Sequence, residues 1–337
     1  MSGRDEPLPR ARLADVLRGR APVVGSRFDG VERRGLVSPV EARLLMGIPY
    51  GDLAADERAY LRAVERSLRS DAGVLARAAF ARALAPPGGA RPEDRPRIVS
   101  ATVDNVTIDR AVAAIFEPPP TDRARMVCFV HPHALNLATF DRDFALLLAD
   151  ADLVLPDGIG VRIAAALLGV AMRHNLNGTD LLPLLCDAAV AERVPLALIG
   201  AAEGVAEACA ENLRRDHPGL QTPVVHHGYL DDAASGSIAE QVGQLGRALV
   251  LVGMGSPRQE RWAREHLAGV GGITVITVGG LFDFFSGRIQ RAPVAWREMG
   301  LEWAWRLRQE PGRLARRYLL GNPLFLALAL AQRAGLR

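Results

Sequence analysis

The sequence predicts an α/β fold: a mostly parallel, Rossmann-like sheet with helices on both faces, plus a helical, Arg-rich C-terminal appendage. Three observations carry this. Short apolar runs recur after residue 98, amphipathic stretches lie between most of them, and a glycine or small polar residue closes nearly every run. Apolar runs alternating with helical stretches build βαβ units, and such units make parallel sheets.

The strand-like runs are, in order, MVCFV (126–130), ADLVLP (151–156), PLALIG (195–200), TPVVHH (222–227), ALVLVGMG (248–255) and ITVITVGG (273–280). ALNLATFDRDFALLLA, GVAEACAENLRRDH and PRQERWAREHLA are among the helical stretches between them. Ahead of the sheet, residues 1–97 are expected to form a helical or partly ordered extension. Its positions 53–84 carry helical periodicity, and the Pro/Gly-rich APPGGARPEDRPR (85–97) reads as a linker. Residues 98–295 are then the α/β domain, and 296–337 the basic appendage.

Composition narrows the function classes. Half of the 337 residues are apolar and few are aromatic, enough for a sizeable core of Ala, Leu and Val. Lys is absent, so every basic side chain is Arg, which can grip a phosphate at two points. The formal charge of +3 is uneven: from Arg288 onward the balance is +7, leaving −4 on the preceding 287 residues. A basic tail on a near-neutral body suggests an anionic partner. Cys128, Cys186 and Cys209 lie apart in apolar runs without CxxC spacing, and read as buried free thiols of a reducing compartment. The charged N-terminus has no apolar signal region, and no run of about twenty apolar residues spans a membrane. The expected location is cytoplasmic.

In parallel sheets ligands bind beyond the carboxyl ends of the strands. Those ends carry His131-Pro132-His133, Asp157-Gly158-Ile159-Gly160, Gly200, Gly228-Tyr229, Gly253-Met254-Gly255-Ser256 and Gly279-Gly280-Leu281-Phe282-Asp283. Glycines there let backbone N–H groups approach a phosphate. Asp157 directly follows a strand with glycines around it. It suits a general base that takes a proton from an attacking hydroxyl, and equally the N-cap of the next helix. Spacing alone leaves both readings open. Ser256 with Pro257 reads as an ordinary helix start, to which Gln259 adds an amide suited to sugar hydroxyls. The DAD triplet (150–152) imitates a cation-binding D-x-D, but Asp150 closes a helix and Asp152 opens a strand. Asp231-Asp232 reads as a surface turn. No HExxH occurs, so no metal and no other cofactor is expected. GMGSPR is not GxGxxG, which disfavours a dehydrogenase.

Several ordered blocks together resemble the WecG/TagA/CpsF family of bacterial glycosyltransferases (glycosyltransferase family 26), the N-acetylmannosamine and N-acetylmannosaminuronic acid transferases. The blocks are DNVTIDRAV (104–112), ADLVLPDGIGV (151–161), NGTDLL (177–182), LIGAAEGVAE (198–207), HGY (227–229), LVGMGSPRQERW (251–262), VGGLFDFFSGRIQRAP (278–293) and GLEWAWRLRQEPGRLARRYLLGNPLF (300–325). They span roughly two-thirds of the chain. The resemblance implies inverting transfer of a sugar from a UDP-sugar donor to a polyprenyl-diphosphate-linked sugar acceptor. Carried over by position, Asp157 is the base and Gln259 contacts the donor sugar. Tyr229 and Asp283 hold uridine, and Gly200, Gly253, Gly255 and Ser256 sit near the nucleotide. His131, His133, Asn136, Thr179, Asp180 and Arg291 are further substrate-binding positions. Arg306, Arg313 and Arg316 face the acceptor diphosphate or the leaving group; with Arg317, a further substrate-binding candidate, their spacing places them along one helix side or a short helix pair.

The interleaved Trp303, Trp305, Tyr318 and Phe325 suggest settling on a membrane surface, here the inner leaflet. The loop after the first strand departs from the family: some members have Thr and Asn where Phe129 and His131 stand. Sugar hydrogen bonding there falls to His131 or His133, or the donor differs. A competing reading is a catalytically silent nucleotide-sugar or lipid-diphosphate binding protein of an envelope-assembly complex. Nucleic acid is not an expected partner, since the tail is interleaved with apolar residues. A homo-oligomer is compatible with the sequence.

Overall fold

A computed structural model describes residues 10–18, 21–26, 28, 36–46, 53–62, 68–84 and 93–336. Most of the expected linker, residues 85–92, lies outside them. The chain divides into two compact units, one of residues 1–87 with 293–301, the other of residues 88–292 with 302–337.

The larger unit holds six parallel strands: β1 (Arg125–Val130), β2 (Leu153–Pro156), β3 (Leu196–Gly200), β4 (Val224–His226), β5 (Ala248–Gly253) and β6 (Ile273–Thr277). Their order in the sheet is β2-β1-β6-β5-β3-β4. All six match the expected runs. β3 and β5 are continuously apolar because both faces are covered, and β3, β5 and β6 are buried along their whole length. Alternate residues point to opposite faces. Val127 and Phe129 join one cluster with Leu155, Leu198, Leu251 and Ile276, while Cys128 and Val130 join another on the far side.

The first face is covered by α1 (Ile108–Phe116), and further along the chain by α5 (Gly178–Glu192) and α6 (Val205–Asp216). The opposite face carries α2 (Pro132–Phe140), α3 (Arg142–Ala149), α4 (Ile159–Leu167), α7 (Asp232–Gly243) and α8 (Arg258–His266). A one-turn helix, α9 (Leu281–Phe285), follows β6. The C-terminal stretch is α10 (Glu302–Gln309), α11 (Pro311–Ala315), a π-helical turn (Arg316–Leu320) and α12 (Gly321–Arg333). The four arginines expected along one helix side or a short helix pair are spread over three consecutive short elements: Arg306 in α10, Arg313 in α11, and Arg316 and Arg317 in the π-helical turn.

Phe325 and Ala329 of α12 are fully buried among Ala134, Leu135, Phe144 and Val161. The Gln332 amide bonds the Val99 N–H and the Arg97 carbonyl at 2.7 and 2.9 Å. The helix is therefore core, and Phe325 is not among the residues available to a membrane. Of the other aromatics, Trp303 meets Tyr318 edge-on at 5.9 Å, and Trp305 donates to the Gln290 carbonyl.

The smaller unit contains helices Glu41–Met46, Leu53–Arg62, Leu68–Ala83 and Val294–Glu298. Buried glutamates organise it. Glu57 accepts from the Ser26 and Ser38 hydroxyls at 2.7 and 2.6 Å, and Glu298 lies between Arg43 and Arg77 at 2.7 and 2.8 Å. Such charges are tolerated in a core because each is paired.

Candidate active site

The register of the sheet sets the site. Val130 of β1 pairs with Pro156 of β2, and the Asp157 N–H donates to the Val130 carbonyl at 2.8 Å, so His131 and Asp157 emerge side by side. Gly158, at φ 83°, occupies the N-cap position of α4 and no side chain caps that helix. Asp157 is therefore not the cap, and among the described residues no side chain hydrogen-bonds its carboxylate. Gly160 lets α4 lie against α2: a Cβ there would meet the Pro132 ring at 2.4 Å.

Asp157 is half-buried, and its pKa is pushed up to about 7. Burial is the largest cause, reinforced by Glu302 and Asp180; Arg317 and Arg306 pull the other way. His131 caps α2, its Nδ1 accepting from the Ala134 N–H at 3.1 Å, while its Nε2 lies 2.8 Å from Arg317 Nη2. Burial, with Arg317 and His133 close by, holds His131 well below the usual imidazole range, and His133 falls to about 4. Both rings are neutral at neutral pH, so arginines alone supply positive charge here. Arg306 and Arg317 each keep a buried Nε without a hydrogen bond, and Arg306 lies over the Phe284 ring at 5.0 Å. Its guanidinium also covers Gly280, where a Cβ would meet Nη2 at 2.5 Å.

A second group of contacts backs this centre. Asn177 caps α5 and also bonds Thr179 Oγ1 and the Asp180 carboxylate, at 2.8 and 2.7 Å. Asp180 holds Arg291, which reaches Glu302 at 3.4 Å. Thr179 and Asp180 thus face Arg291 and Asn177, and Asp180 acts on the centre through its charge. Asn136 is buried and donates to the Gly321 carbonyl at 2.7 Å, tying α12 to α2, with its Oδ1 unbonded.

On the other half of the sheet the strand ends close up. Gly200 pairs with Gly253, and at φ 151° a Cβ on it would meet the Gly253 carbonyl oxygen at 2.3 Å. A Cβ on Gly253 would come within 2.9 Å of the Gly279 oxygen. Gly200→Ala is expected to destabilise by about 1–3 kcal/mol through overpacking of strand against strand, read as a lower urea midpoint; an unchanged midpoint would refute this tight floor. Gln259 is buried behind the turns, its amide engaged by Gly255, Gly279, Ser256 and Glu260. Its polar atoms leave no hydrogen for a sugar.

Tyr229 stands exposed at the sheet edge under Arg258, whose guanidinium lies 5.5 Å from the ring. Asp283 is buried near Arg313 and Arg288 at 3.6 and 3.7 Å. β5 and β3 separate the strands preceding Asp283 and Tyr229, a gap of about 14 Å at normal strand spacing. The two are not in contact. Arg316 is exposed on the π-helical turn. Phe129 is part of the core and does not face the crevice. Among the described residues no group of three His, Cys, Asp or Glu is placed to hold a metal.

Sequence reasoning passed over Glu302, Glu310, Glu260 and Arg258. Glu310 carried a legible signal: it is four residues after Arg306 and three before Arg313, and pairs with both. Glu302 had none, because its effect depends on the fold.

An ionisable carboxylate at a strand end, two arginines across from it and a floor of glycine turns suit the transfer of a group from a phosphate leaving group. The description "Glycosyl transferase WecG/TagA/CpsF family" matches residues 96–337. The chain belongs to this family. As a glycosyltransferase it is similar to three curated enzymes, each named N-acetylglucosaminyldiphosphoundecaprenol N-acetyl-β-D-mannosaminyltransferase. That of Bacillus spizizenii is 31% identical, covering 56% of this chain and 71% of the relative. That of Bacillus subtilis is 28% identical over 61% and 79%, and that of Staphylococcus aureus 27% over 68% and 89%. The family match leaves most of the smaller unit outside it.

Proposed function

We propose that this WecG/TagA/CpsF glycosyltransferase moves a sugar of the N-acetylmannosamine class from a UDP-sugar to a sugar carried on undecaprenyl diphosphate, with inversion. N-acetylmannosaminuronic acid and hexose donors are the variants to compare. The observation that carries this reading is Asp157, a carboxylate without a side-chain hydrogen bond among the described residues, raised to about 7 and under the influence of Arg306 and Arg317. Asp157 accepts the proton of the acceptor hydroxyl as that oxygen attacks the anomeric carbon. The bond from that carbon to the donor diphosphate breaks, and UDP leaves. The arginines offset the charge growing on the diphosphate, a contribution that fixed donors make without reorganisation. No metal is needed for these steps, since the cationic groups are already in place.

The acceptor supplies the reason for a membrane location. No helix among the described residues is long and apolar enough to cross a membrane. Leu319, Leu320, Leu324 and Leu330 are exposed along the same C-terminal stretch as Arg316, a pattern that suits the surface of an anionic inner leaflet.

The test is wild-type protein incubated with a synthetic N-acetylglucosaminyl-diphosphate lipid and each UDP-sugar in turn. One donor is expected to give a β-linked disaccharide with one UDP released per transfer, assigned by NMR of the anomeric proton. UDP release without disaccharide, or no reaction with any donor, would reject the proposal.

A further inference from the structure

Glu260 has no assigned role, yet it is 2% exposed at the start of α8, directly behind the glycine turns. Its Oε1 accepts from the Ser256 hydroxyl at 2.8 Å and from Gln259 Nε2 at 2.8 Å. Gln259 Nε2 also reaches Ser256 Oγ at 3.3 Å. On the other end of the amide, Oε1 accepts from the Gly255 N–H at 3.1 Å and the Gly279 N–H at 2.9 Å. Gly255 belongs to the turn after β5 and Gly279 to the turn after β6.

The orientation of this amide is dictated. A flipped Gln259 would set its NH2 against two backbone N–H groups and its carbonyl against a carboxylate. Glu260 enforces the productive orientation because its Oε1 can only accept. Burial pushes the Glu260 pKa up. The Gln259, Ser256 and Thr277 side chains oppose that shift. Oε1 already takes two donors, so a proton taken up goes to Oε2 and Oε1 remains an acceptor in either state.

We infer that Glu260 is a positioning residue of the donor site: it locks the Gln259 amide, whose single carbonyl ties the β5 turn to the β6 turn at fixed spacing. The Gly255 and Gly279 N–H groups are spent inside this tie. The nucleotide therefore rests on the outer surface of the two turns, beside Gly253, Gly280 and Arg306. The role in the donor site rests on the function proposed above; the tie itself does not.

The experiment compares Glu260→Met with Glu260→Gln, by steady-state kinetics and by hydrogen exchange of residues 253–256 and 278–281 in the free protein. Gln keeps an oxygen that accepts, whereas Met keeps only the bulk. Glu260→Met is expected to raise the KM for the UDP-sugar about fivefold to tenfold, the worth of one ordinary hydrogen bond, with kcat little changed. It is also expected to speed exchange in both turns. Glu260→Gln is expected to restore both. Unchanged exchange in Glu260→Met, or a Gln variant as impaired as Met, overturns the inference; the latter would point to a simple charge effect at the helix start. Should Glu260→Met not fold, Ser256→Ala removes one donor to Oε1 and is expected to speed exchange to a smaller extent, and unchanged exchange there overturns the inference too. A wild-type protein that transfers no sugar refutes the proposed function, while the exchange data still decide whether Glu260 holds the turns.

Discussion

Asp157→Asn is expected to lower kcat by about a hundred- to ten-thousand-fold, the range over which a positioned general base contributes, while leaving UDP affinity nearly unchanged. The amide has the same shape and accepts no proton. In the wild type, kcat should rise with pH through a limb near 7, because Asp157 acts only when ionised and its pKa is about 7. Below that limb the carboxyl is protonated and the rate falls about tenfold per pH unit. Stability moves the opposite way. The folded pKa lies above that of an unfolded Asp, so the native state holds more protons between about pH 4 and 7, and stability drops as pH rises through that window. Asp157→Asn should remove this drop and unfold at an equal or higher denaturant concentration than wild type at pH 8. A variant that turns over at the wild-type rate, or a wild-type rate flat from pH 5 to 9, would sink the base assignment.

The reason one residue does both is environmental. Burial, Glu302 and Asp180 destabilise the charged form, and Arg306 and Arg317 restore part of it. Asp180 and Glu302 also hold Arg291 between them. Neutralising Glu302 should lower the Asp157 pKa and shift the acid limb to lower pH, at the cost of loosening Arg291.

The sheet was legible because strands buried on both faces must be apolar throughout, and each such run ends in a residue that the carboxyl edge requires. The side-chain arrangement was legible only in part. Sequence spacing could not separate base from cap at Asp157; the structure removes the cap reading, since Gly158, at positive φ, takes the N-cap position. Gln259 looked like a sugar contact because an amide suits hydroxyls. It is turned inward because Gly255 and Gly279, 24 residues apart, bring two N–H groups to one oxygen. Glu302 acquires its effect only on folding, which brings its charge near Asp157. Phe129 seemed to displace a hydroxyl from the sugar site, yet strand alternation aims it into the core.

Phe325→Ala is expected to destabilise the protein by about 3–5 kcal/mol, the usual loss for a buried Phe. The run from Leu319 to Ala331 reads as apolar and Arg-flanked, as a surface-seeking tail does. Its four-residue spacing, Phe325 to Ala329, places one stripe in the core and leaves Leu320, Leu324 and Leu330 outside. These two stripes separate stability from surface binding. Phe325→Ala should lower the urea midpoint and loosen the Asn136–Gly321 bond that sets the start of α12, and with it the preceding turn that carries Arg317. Leu324→Ser with Leu330→Ser should leave the midpoint within about 0.5 kcal/mol per site, as exposed substitutions do, while weakening binding to anionic vesicles. Deleting α12 should therefore yield an unfolded or aggregated chain and not a soluble catalytic core. A truncated protein with a wild-type midpoint, or a stable Phe325→Ala variant, would show instead that the helix is a detachable tail.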